Sequence, residues 1–574
     1  AVLGSGVMGS GIAAHLANLG IHTLMLDRVP ERLTDKEMKK GLTLDDPEVR
    51  NRLAISSKLA LLSQKPSPLT SKANLQFIEV GNFLDDMEKI SQADGVIEAV
   101  VEDLEIKKAI YEQVDRYYKQ GTIVSSNTSG ISVHEMIADC SYDLRSHFLG
   151  THFFNPPRYL RLLEIIPTKD TDPSVIQFMT TFAKEKLGKV VVLAKDTPNF
   201  IANRIGTYGL LVTVQEMLKR GFSIGEVDSI TGPLIGRPKS ATFRTLDVVG
   251  LDTFIRVARN VYQNVEGKEK AVFAIPKFMI DMQKNGWLGS KTGQGFYKKH
   301  KENGQTTILE LNPLTLEYES RKKLKTAATQ MAMQSQGVEQ KLKTLVSAKG
   351  DRAGDFIWAV LKQVLLYSAE IVYDIADDIV SIDKAMRFGF GGELGPFEIW
   401  DTIGLRKTVA RMEAEGETIP EWVLAFIEAG NDSFYKQEQE QRFYYSNGYF
   451  RIFPDDEKEI DLERIKNKYG VIKKNSGASL IDLGDDVLCL EFHSRNNAIG
   501  LDIIQMVETA LEELEKNYVG LVIGNQGKHF CVGANLALML MEAQDENFDE
   551  LEFVVRQFQN MTMHLKYAKK PVVI

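Results

Sequence analysis

Ala1-Val2-Leu3-Gly4-Ser5-Gly6-Val7-Met8-Gly9 opens the chain and runs into an apolar helical stretch, Ile12, Ala13, Leu16, Ala17 and Leu19, that ends at Gly20. The order is strand, tight turn, helix. In such a turn the first glycine permits the reversal, the second lets a diphosphate approach the backbone, and the third lets helix pack closely on strand, with the helix N-terminus facing the phosphate charge. A GxGxxG alone also serves as a plain connector, so the next strand decides the reading. That strand, the apolar Thr23-Leu24-Met25-Leu26, ends at Asp27, about 20 residues on, where a carboxylate accepts the ribose hydroxyls. Gly4, Gly6, Gly9 and Asp27 are therefore read as a dinucleotide site. The acid at Asp27 would repel a 2′-phosphate, which favours NAD over NADP. Ala1-Val2-Leu3 has the character of a buried strand and no initiator methionine precedes it, so the sequence is expected to begin inside a longer chain.

Beyond a polar, helical insertion from Pro30 to Ser71, the α/β alternation resumes at Gly95-Val96-Ile97-Glu98-Ala99-Val100-Val101-Glu102 and continues with a helix carrying Ile106, Ile110 and Val114. A further strand, Ile123-Val124-Ser125-Ser126, stops at Asn127-Thr128-Ser129-Gly130. Ligands of open α/β sheets bind at the carboxyl ends of strands, which puts Glu102 and Ser129 on the functional edge, although each also fits as a helix cap or turn former. Next comes Gly150-Thr151-His152-Phe153-Phe154-Asn155-Pro156-Pro157, with Glu164 after the apolar Leu160, Leu162 and Leu163. A histidine among aromatics is commonly a satisfied core residue. If the strands bracketing the Pro-Pro turn pair, however, His152 meets Glu164, and the carboxylate would fix the imidazole tautomer and raise the basicity of its other nitrogen.

Five stretches in this order, GSGVMGSGIAAHLANLG from Gly4, VIEAVVEDLEIKK from Val96, SSNTSGIS from Ser125, GTHFFNPPRYLRLLEIIP from Gly150 and KDTPNFIANRIG from Lys195, resemble the 3-hydroxyacyl-CoA dehydrogenases. The resemblance implies that His152 removes the substrate hydroxyl proton while the C3 hydride passes to NAD, that Glu164 orients His152, and that Ser129 and Asn203 position the substrate oxygens. By the same match Glu102 and Lys107 lie along the cofactor, as does Lys291 in Gly289-Ser290-Lys291-Thr292-Gly293-Gln294-Gly295-Phe296. Hydride transfer from an alcohol needs a base at the oxygen and a fixed dinucleotide face, so the residues and the resemblance divide the labour alike.

Pro198 is expected to open a long amphipathic helix through Ile201, Ile205, Leu210 and Val214, with helices continuing to Gln283. This part then has an echo. Asp228, Phe243, Asp247, Gly250 and Leu251 recur at nearly the same spacing as Asp383, Phe397, Asp401, Gly404 and Leu405. The second copy has no Rossmann partner and no catalytic histidine, and is read as a packing domain over the active-site cleft. The expected fold class is α/β, arranged as a Rossmann-type NAD-binding domain over 1–194, a helical substrate and dimerisation-type domain over 195–298, a charged, Gln-rich surface linker with some helix over 299–350, the second helical repeat over 351–449 and a mixed linker over 450–477.

From Ala478 the pattern turns to strands, Ser479 to Leu483 and Val487 to Phe492, then Arg495-Asn496-Asn497-Ala498, a helix with Ile503, Ile504, Val507, Leu511 and Leu514, a strand Gly520-Leu521-Val522-Ile523 and the turn His529-Phe530-Cys531-Val532-Gly533-Ala534-Asn535. Residues 478–574 resemble the first part of a crotonase-like domain. The resemblance implies that the Gly533-Ala534 turn gives one backbone N–H, that of Ala534, to a thioester oxyanion. The superfamily more often has Asp where Asn535 stands, which puts the local hydrogen bonding in doubt but not the backbone donor. The last strand, Lys570 to Ile574, precedes in that superfamily the second donor and the acid/base glutamates, so a hydratase or a Δ3,Δ2-isomerase is expected to be completed beyond it. The whole order resembles bacterial fused 3-hydroxyacyl-CoA dehydrogenase/enoyl-CoA hydratases of fatty-acid β-oxidation, dehydrogenase first.

Composition is consistent with this. A chain of 574 residues needs several cores. A net charge of −9 argues against a large nucleic-acid footprint. Three cysteines without CxxC pairing give no metal spacing and suit a reducing compartment, so no metal and a cytoplasmic setting are expected. No continuous apolar run is long enough for an integral membrane segment, and no signal peptide is recognisable. The expected partners are acyl-CoA substrates and, from the pathway alone, a thiolase; the oligomeric state stays open. The rivals are a β-hydroxyacid dehydrogenase acting on a free acid, which the crotonase-like tail disfavours, and an inactive acyl-CoA-binding scaffold, which the intact His152, Glu164, Ser129 and Asn203 disfavour.

Overall fold

The computed structural model describes residues 1–302, 304–438, 441–453, 460–527 and 529–574. It divides into two units, residues 1–435 with 444–451, and residues 436–443 with 452–574. Part of the expected 450–477 linker, residues 454–459, lies outside the described residues.

The first unit is built on eight strands: β1 (Val2–Leu3), β2 (Thr23–Asp27), β3 (Ile78–Asn82), β4 (Gly95–Glu98), β5 (Ile123–Ser126), β6 (Phe148–Phe153), β7 (Leu162–Pro167) and β8 (Val190–Leu193). Their spatial order is β3-β2-β1-β4-β5-β6-β7-β8, parallel except where β7 runs against β6. The order reverses between β1 and β4, the switch point at which doubly wound sheets bind ligands. Phe148–Phe153 is buried along its whole length, as a strand covered on both faces must be. The strand β3 was not anticipated, because Ile78-Glu79-Val80-Gly81-Asn82 is short and interrupted by polar residues. The helix expected from Pro198 begins at Ala202 instead, since Asn199 and Phe200 take left-handed φ values of 61° and 53° and cannot propagate a right-handed helix.

Both helical copies lie in this unit and share one hydrophobic cluster with the sheet, from Leu3 through Phe243 and Trp400 to Phe434. The echo seen in sequence is a repeat of structure. Asp228 accepts hydrogen bonds from the backbone of Thr242, Phe243 and Arg244 and from the Tyr297 hydroxyl, and Asp383 accepts them from the backbone of Phe397 and Glu398 and from the Tyr435 hydroxyl. Asp247 holds the backbone N–H groups of Phe296 and Tyr297 just as Asp401 holds those of Phe434 and Tyr435. The ring pairs Phe243–Phe296 and Phe397–Phe434 sit 5.0 and 5.2 Å apart. The Phe-Tyr pair that closes each copy went unnoticed in sequence, although extending the comparison past Leu251 and Leu405 would have found it.

One sequence expectation is corrected by the structure. The stretch expected as a surface linker over 299–350 holds an antiparallel sheet of Tyr297–Glu302, Gln305–Leu311 and Tyr318–Ser320 followed by helices Ala327–Gln334 and Gly337–Ser347, and it buries Leu311, Ala328, Ala332, Leu342 and Leu345; its frequent charges masked this apolar spacing. Arg352–Ile375 reaches the length and mean hydropathy of a membrane-crossing helix, yet 78% of its apolar window is buried, which makes it the central helix of the second copy.

In the second unit, Lys473–Lys474, Ala478–Asp482, Val487–Phe492, Gly520–Gly524 and Val572–Val573 form a five-stranded sheet in that order, antiparallel over the first two pairings and parallel over the last two. Helix Leu501–Asn517 covers it through Ile503, Ile504, Val507, Ala510 and Leu514, and helix Phe548–Lys566 adds Met561 to the same cluster.

Candidate active site

The turn after β1 has the geometry a dinucleotide requires. Gly4 has φ of 103°, and a Cβ there would meet the Ala99 carbonyl oxygen at 2.5 Å; a Cβ on Gly9 would meet the Gly4 oxygen at 1.9 Å. A Cβ on Gly6 would meet nothing within 4 Å, so the backbone there faces open space. Helix Val7–Ala17 starts with no side-chain cap on its first N–H groups, and these can take a diphosphate. The half-buried Asp27, ending β2, accepts hydrogen bonds from Ser5 N at 2.7 Å and from the Ser5 hydroxyl, and thereby ties the glycine turn to the carboxylate that would meet the ribose. These residues fit a bound dinucleotide.

The antiparallel register of β6 and β7 sets His152 directly opposite Glu164. The imidazole Nδ1 lies 2.6 Å from Glu164 Oε2, with His152 5% and Glu164 0% exposed, so the pair is closed off from bulk water. The second oxygen, Oε1, accepts the backbone N–H groups of Ile201 at 3.2 Å and Ala202 at 2.8 Å, the first turn of helix Ala202–Arg220. Held by a helix N-terminus, the carboxylate is fixed in orientation. The left-handed backbone at Asn199 and Phe200 is what aims these two N–H groups, and it brings the Phe200 ring to 5.8 Å from the imidazole, with Phe154 on another side at 4.4 Å. Asn203 follows Ala202 and is half-buried, its side chain making no hydrogen bond among the described residues. Beneath the hairpin, the buried Lys189 donates to the carbonyls of Pro157 and Leu160 and so clamps the turn between the strands that carry His152 and Glu164; burial pushes its ammonium down to about 8.

Ser129 and Glu102 lie just past the ends of β5 and β4, on the edge expected from sequence, and the structure brings the two into contact, which was not foreseen. Glu102 Oε1 accepts Ser129 N at 2.7 Å, Ser129 Oγ at 3.0 Å and Thr128 Oγ1 at 2.7 Å. Burial opposes its charge, but Lys107 and these donors outweigh that and hold the carboxyl below its ordinary range. Lys107 itself is sequestered: it is 1% exposed, 2.7 Å from Glu98 and 3.4 Å from Glu102, so among the described residues it reaches the site only through Glu102. Glu98, which also accepts from Ser126 and Tyr111, was not singled out from sequence, since a carboxylate inside a strand gives no local signal. Glu102 and Ser129 line a cleft of about 350 Å³ whose opposite wall is Asn199 and helix Leu251–Asn264. Lys291 stands at Asp252 on this wall, bonded to both carboxylate oxygens at 2.5 and 2.7 Å. Asn199 and Asn260, also missed, stitch the cleft: Asn260 Nδ2 donates to Asn199 Oδ1 at 2.6 Å and to the Gly130 carbonyl at 3.1 Å. Among the described residues no group of three His, Cys, Asp or Glu side chains could hold a metal ion.

In the second unit Ile499 bridges Ala534 in parallel fashion, with Ile499 N donating to the Gly533 carbonyl at 2.9 Å and Asn535 N to the Ile499 carbonyl at 3.1 Å. A parallel bridge of this kind uses the groups flanking Ala534, so the N–H of Ala534 itself is left off the ladder. Beside it lies an apolar pocket of about 240 Å³ lined by Ile499, Leu501, Ile504, Ala534, Met539 and Phe558 among others.

Residues 1–197 match the family model described as 3-hydroxyacyl-CoA dehydrogenase, NAD binding domain, and residues 200–299 match that described as 3-hydroxyacyl-CoA dehydrogenase, C-terminal domain. A Bacillus subtilis (strain 168) protein named "Probable 3-hydroxyacyl-CoA dehydrogenase" is 61% identical over 573 residues, covering 100% of this chain and 72% of its own. A Rickettsia felis protein named for a fatty acid oxidation complex trifunctional enzyme is 28% identical over 572 residues, 99% of this chain and 72% of its own. The crystal structure of 3-hydroxybutyryl-CoA dehydrogenase from Escherichia coli is alike in fold, with a TM-score of 0.52 at 21% identity over 75% of this chain and 98% of its own.

Proposed function

The chain belongs to the 3-hydroxyacyl-CoA dehydrogenase family, with an NAD-binding Rossmann domain and the family's helical C-terminal domain, and we propose that it oxidises (S)-3-hydroxyacyl-CoA to 3-oxoacyl-CoA in fatty-acid β-oxidation. The observation that carries this reading is the His152–Glu164 pair, registered across two strands and fixed by a helix N-terminus. Bound NAD supplies the acceptor for the C3 hydride. Glu164 engages Nδ1 and so fixes the tautomer, which leaves Nε2 to take the hydroxyl proton. The positive charge that then develops on the ring is stabilised by a carboxylate at 2.6 Å. Ser129, bonded to Glu102, and Asn203, at the start of the catalytic helix, are assigned to the substrate oxygens, and Lys291 and Glu102 to the cofactor. The test is NADH absorbance on adding 3-hydroxyacyl-CoA and NAD; a folded protein that gives none would remove the assignment.

A second activity belongs to the same proposal. Residues 478–574 are read as contributing a crotonase-like thioester turn, in which Ala534 N–H is one oxyanion donor and the neighbouring apolar pocket takes the acyl chain, toward enoyl-CoA hydration or Δ3,Δ2-isomerisation, chemistry that also needs a second donor and catalytic carboxylates not found in these residues. The whole-length likeness to a protein named for a trifunctional enzyme favours this over the free-acid rival. A thiolase of the same pathway as partner, and a cytoplasmic setting in keeping with three free cysteines, are part of this reading.

A further inference from the structure

Helix Leu251–Asn264 forms the wall of the cleft opposite Glu102 and Ser129, and it presents Arg256 and Arg259 to it. Two carboxylates also line the cleft: Asp252 is paired with Lys291, and Glu102 shares the buried Lys107 with Glu98. Glu102 has Lys107 at 3.4 Å as well as the hydroxyl and N–H donors of Thr128 and Ser129, and Asp252 has Lys291 on both oxygens. Neither guanidinium has an ion pair or hydrogen bond among the described residues. Four cations, Lys107, Lys291, Arg256 and Arg259, stand against the three carboxylates Glu98, Glu102 and Asp252, so the balance around the cleft is positive, and the two arginines lie three residues apart, one helical turn, on the same face of the helix. The other polar groups near them, Asn260 and Gln263, are neutral.

Two planar forks one turn apart suit an anion that carries two linked charges, because each fork can take one phosphate in the paired geometry a lysine cannot offer. We propose that Arg256 and Arg259 form a diphosphate clamp on the helical wall of the cleft, acting on a nucleotide diphosphate. This rests on the reading of the cleft as the meeting place of NAD and acyl-CoA, both of which carry a diphosphate. The clamp would join the helical domain to the Rossmann domain through the ligand, so that binding and orientation across the cleft are coupled.

The experiment compares the whole chain with R256Q/R259Q and R256K/R259K. It measures the Kd of NADH by fluorescence titration, and the KM of a 3-hydroxyacyl-CoA against that of the same acyl group on N-acetylcysteamine, a thioester without the nucleotide. Both arginines are exposed, so the variants are expected to fold. The glutamine variant should lose roughly tenfold in affinity for one diphosphate ligand, an effect that weakens as salt is raised, with the lysine variant in between. A weakened NADH Kd with the KM for acyl-CoA unchanged identifies the dinucleotide as the clamped ligand. A raised KM for acyl-CoA, with the N-acetylcysteamine thioester unaffected, identifies coenzyme A. Affinity for NADH and KM for acyl-CoA both at the wild-type level would overturn the clamp, and if the wild-type chain itself turned over no substrate, the reading of the cleft would fail first.

Discussion

A histidine serves as a general base near neutral pH when one nitrogen is held and the other faces the proton, and Glu164 holds His152 at 2.6 Å. His152→Ala should lower kcat by roughly 10² to 10⁴-fold while leaving the Kd of NADH near its wild-type value, since nothing in the glycine turn depends on the imidazole. Near-normal kcat in a folded variant would sink the assignment. Asp27 holds Ser5 and, on the proposed reading, the ribose of NAD, and its replacement should show both. Asp27→Ala removes the charge that disfavours a 2′-phosphate and also releases Ser5 from the turn, so NAD should bind more weakly while the preference for NAD over NADP narrows. Titration with both cofactors measures it; unchanged affinity for the two would show that the carboxylate acts on Ser5 alone. The residues named from sequence are those whose chemistry is local: glycines at fixed intervals, an acid at a strand end, a histidine and an acid set by the pairing of two strands. Asn199, Phe200 and Glu98 were not legible, because their effect comes from a left-handed backbone or from a partner brought in by the fold.

At the scale of elements, the strands with unbroken apolar runs and the helices with clean periodicity were visible in the sequence, and Val487–Phe492 was placed to the residue. The stretch 299–350 was misjudged because charged residues alternate with the few apolar positions that pack, and burial there depends on neighbours far along the chain. The second helical copy offers its own test. Glu415 accepts from Trp358 Nε1 at 2.9 Å, from Lys362 Nζ at 2.8 Å and from Arg411 Nε at 2.9 Å, joining helix Leu405–Ala414 to helix Arg352–Ile375. Burial works against its charge, but Lys362, Trp358 and Arg411 prevail and bring its pKa down from 4.5 to about 2. A depressed carboxylate contributes stability that is fully present above its unfolded value of 4.5 and is lost as pH falls through about 2. Glu415→Gln should therefore destabilise the chain at pH 7 by about 1 kcal/mol, the range for a partly exposed ion-pair network, and the gap to wild type should close below pH 4. Thermal melts from pH 7 to pH 2 check it; a gap that stays constant across that range would mean that packing rather than charge is lost.

For the whole molecule the relevant fact is the partition of its cores. One cluster runs through both helical copies and the sheet of the first unit, whereas the second unit is held by its own cluster around Leu490, Ile503, Val507 and Leu521. Separate cores imply separate cooperative unfolding, and a chain of this kind is not expected to melt in one step. The residues that fit the dinucleotide, Gly4, Gly6, Gly9 and Asp27, all belong to the first unit. A ligand stabilises only what it binds, by about 2.7 kcal/mol at a concentration of 100 times Kd. Calorimetry of the whole chain should thus resolve two transitions, and saturating NADH should raise one and leave the other in place. Ile503→Ala identifies the second: it removes a fully buried side chain from the cluster of the second unit, at a cost of roughly 2–5 kcal/mol, and should lower only the transition that NADH does not move. If NADH and Ile503→Ala displaced the same transition, the two units would form one cooperative body, and the dehydrogenase site would depend for its stability on residues 452–574.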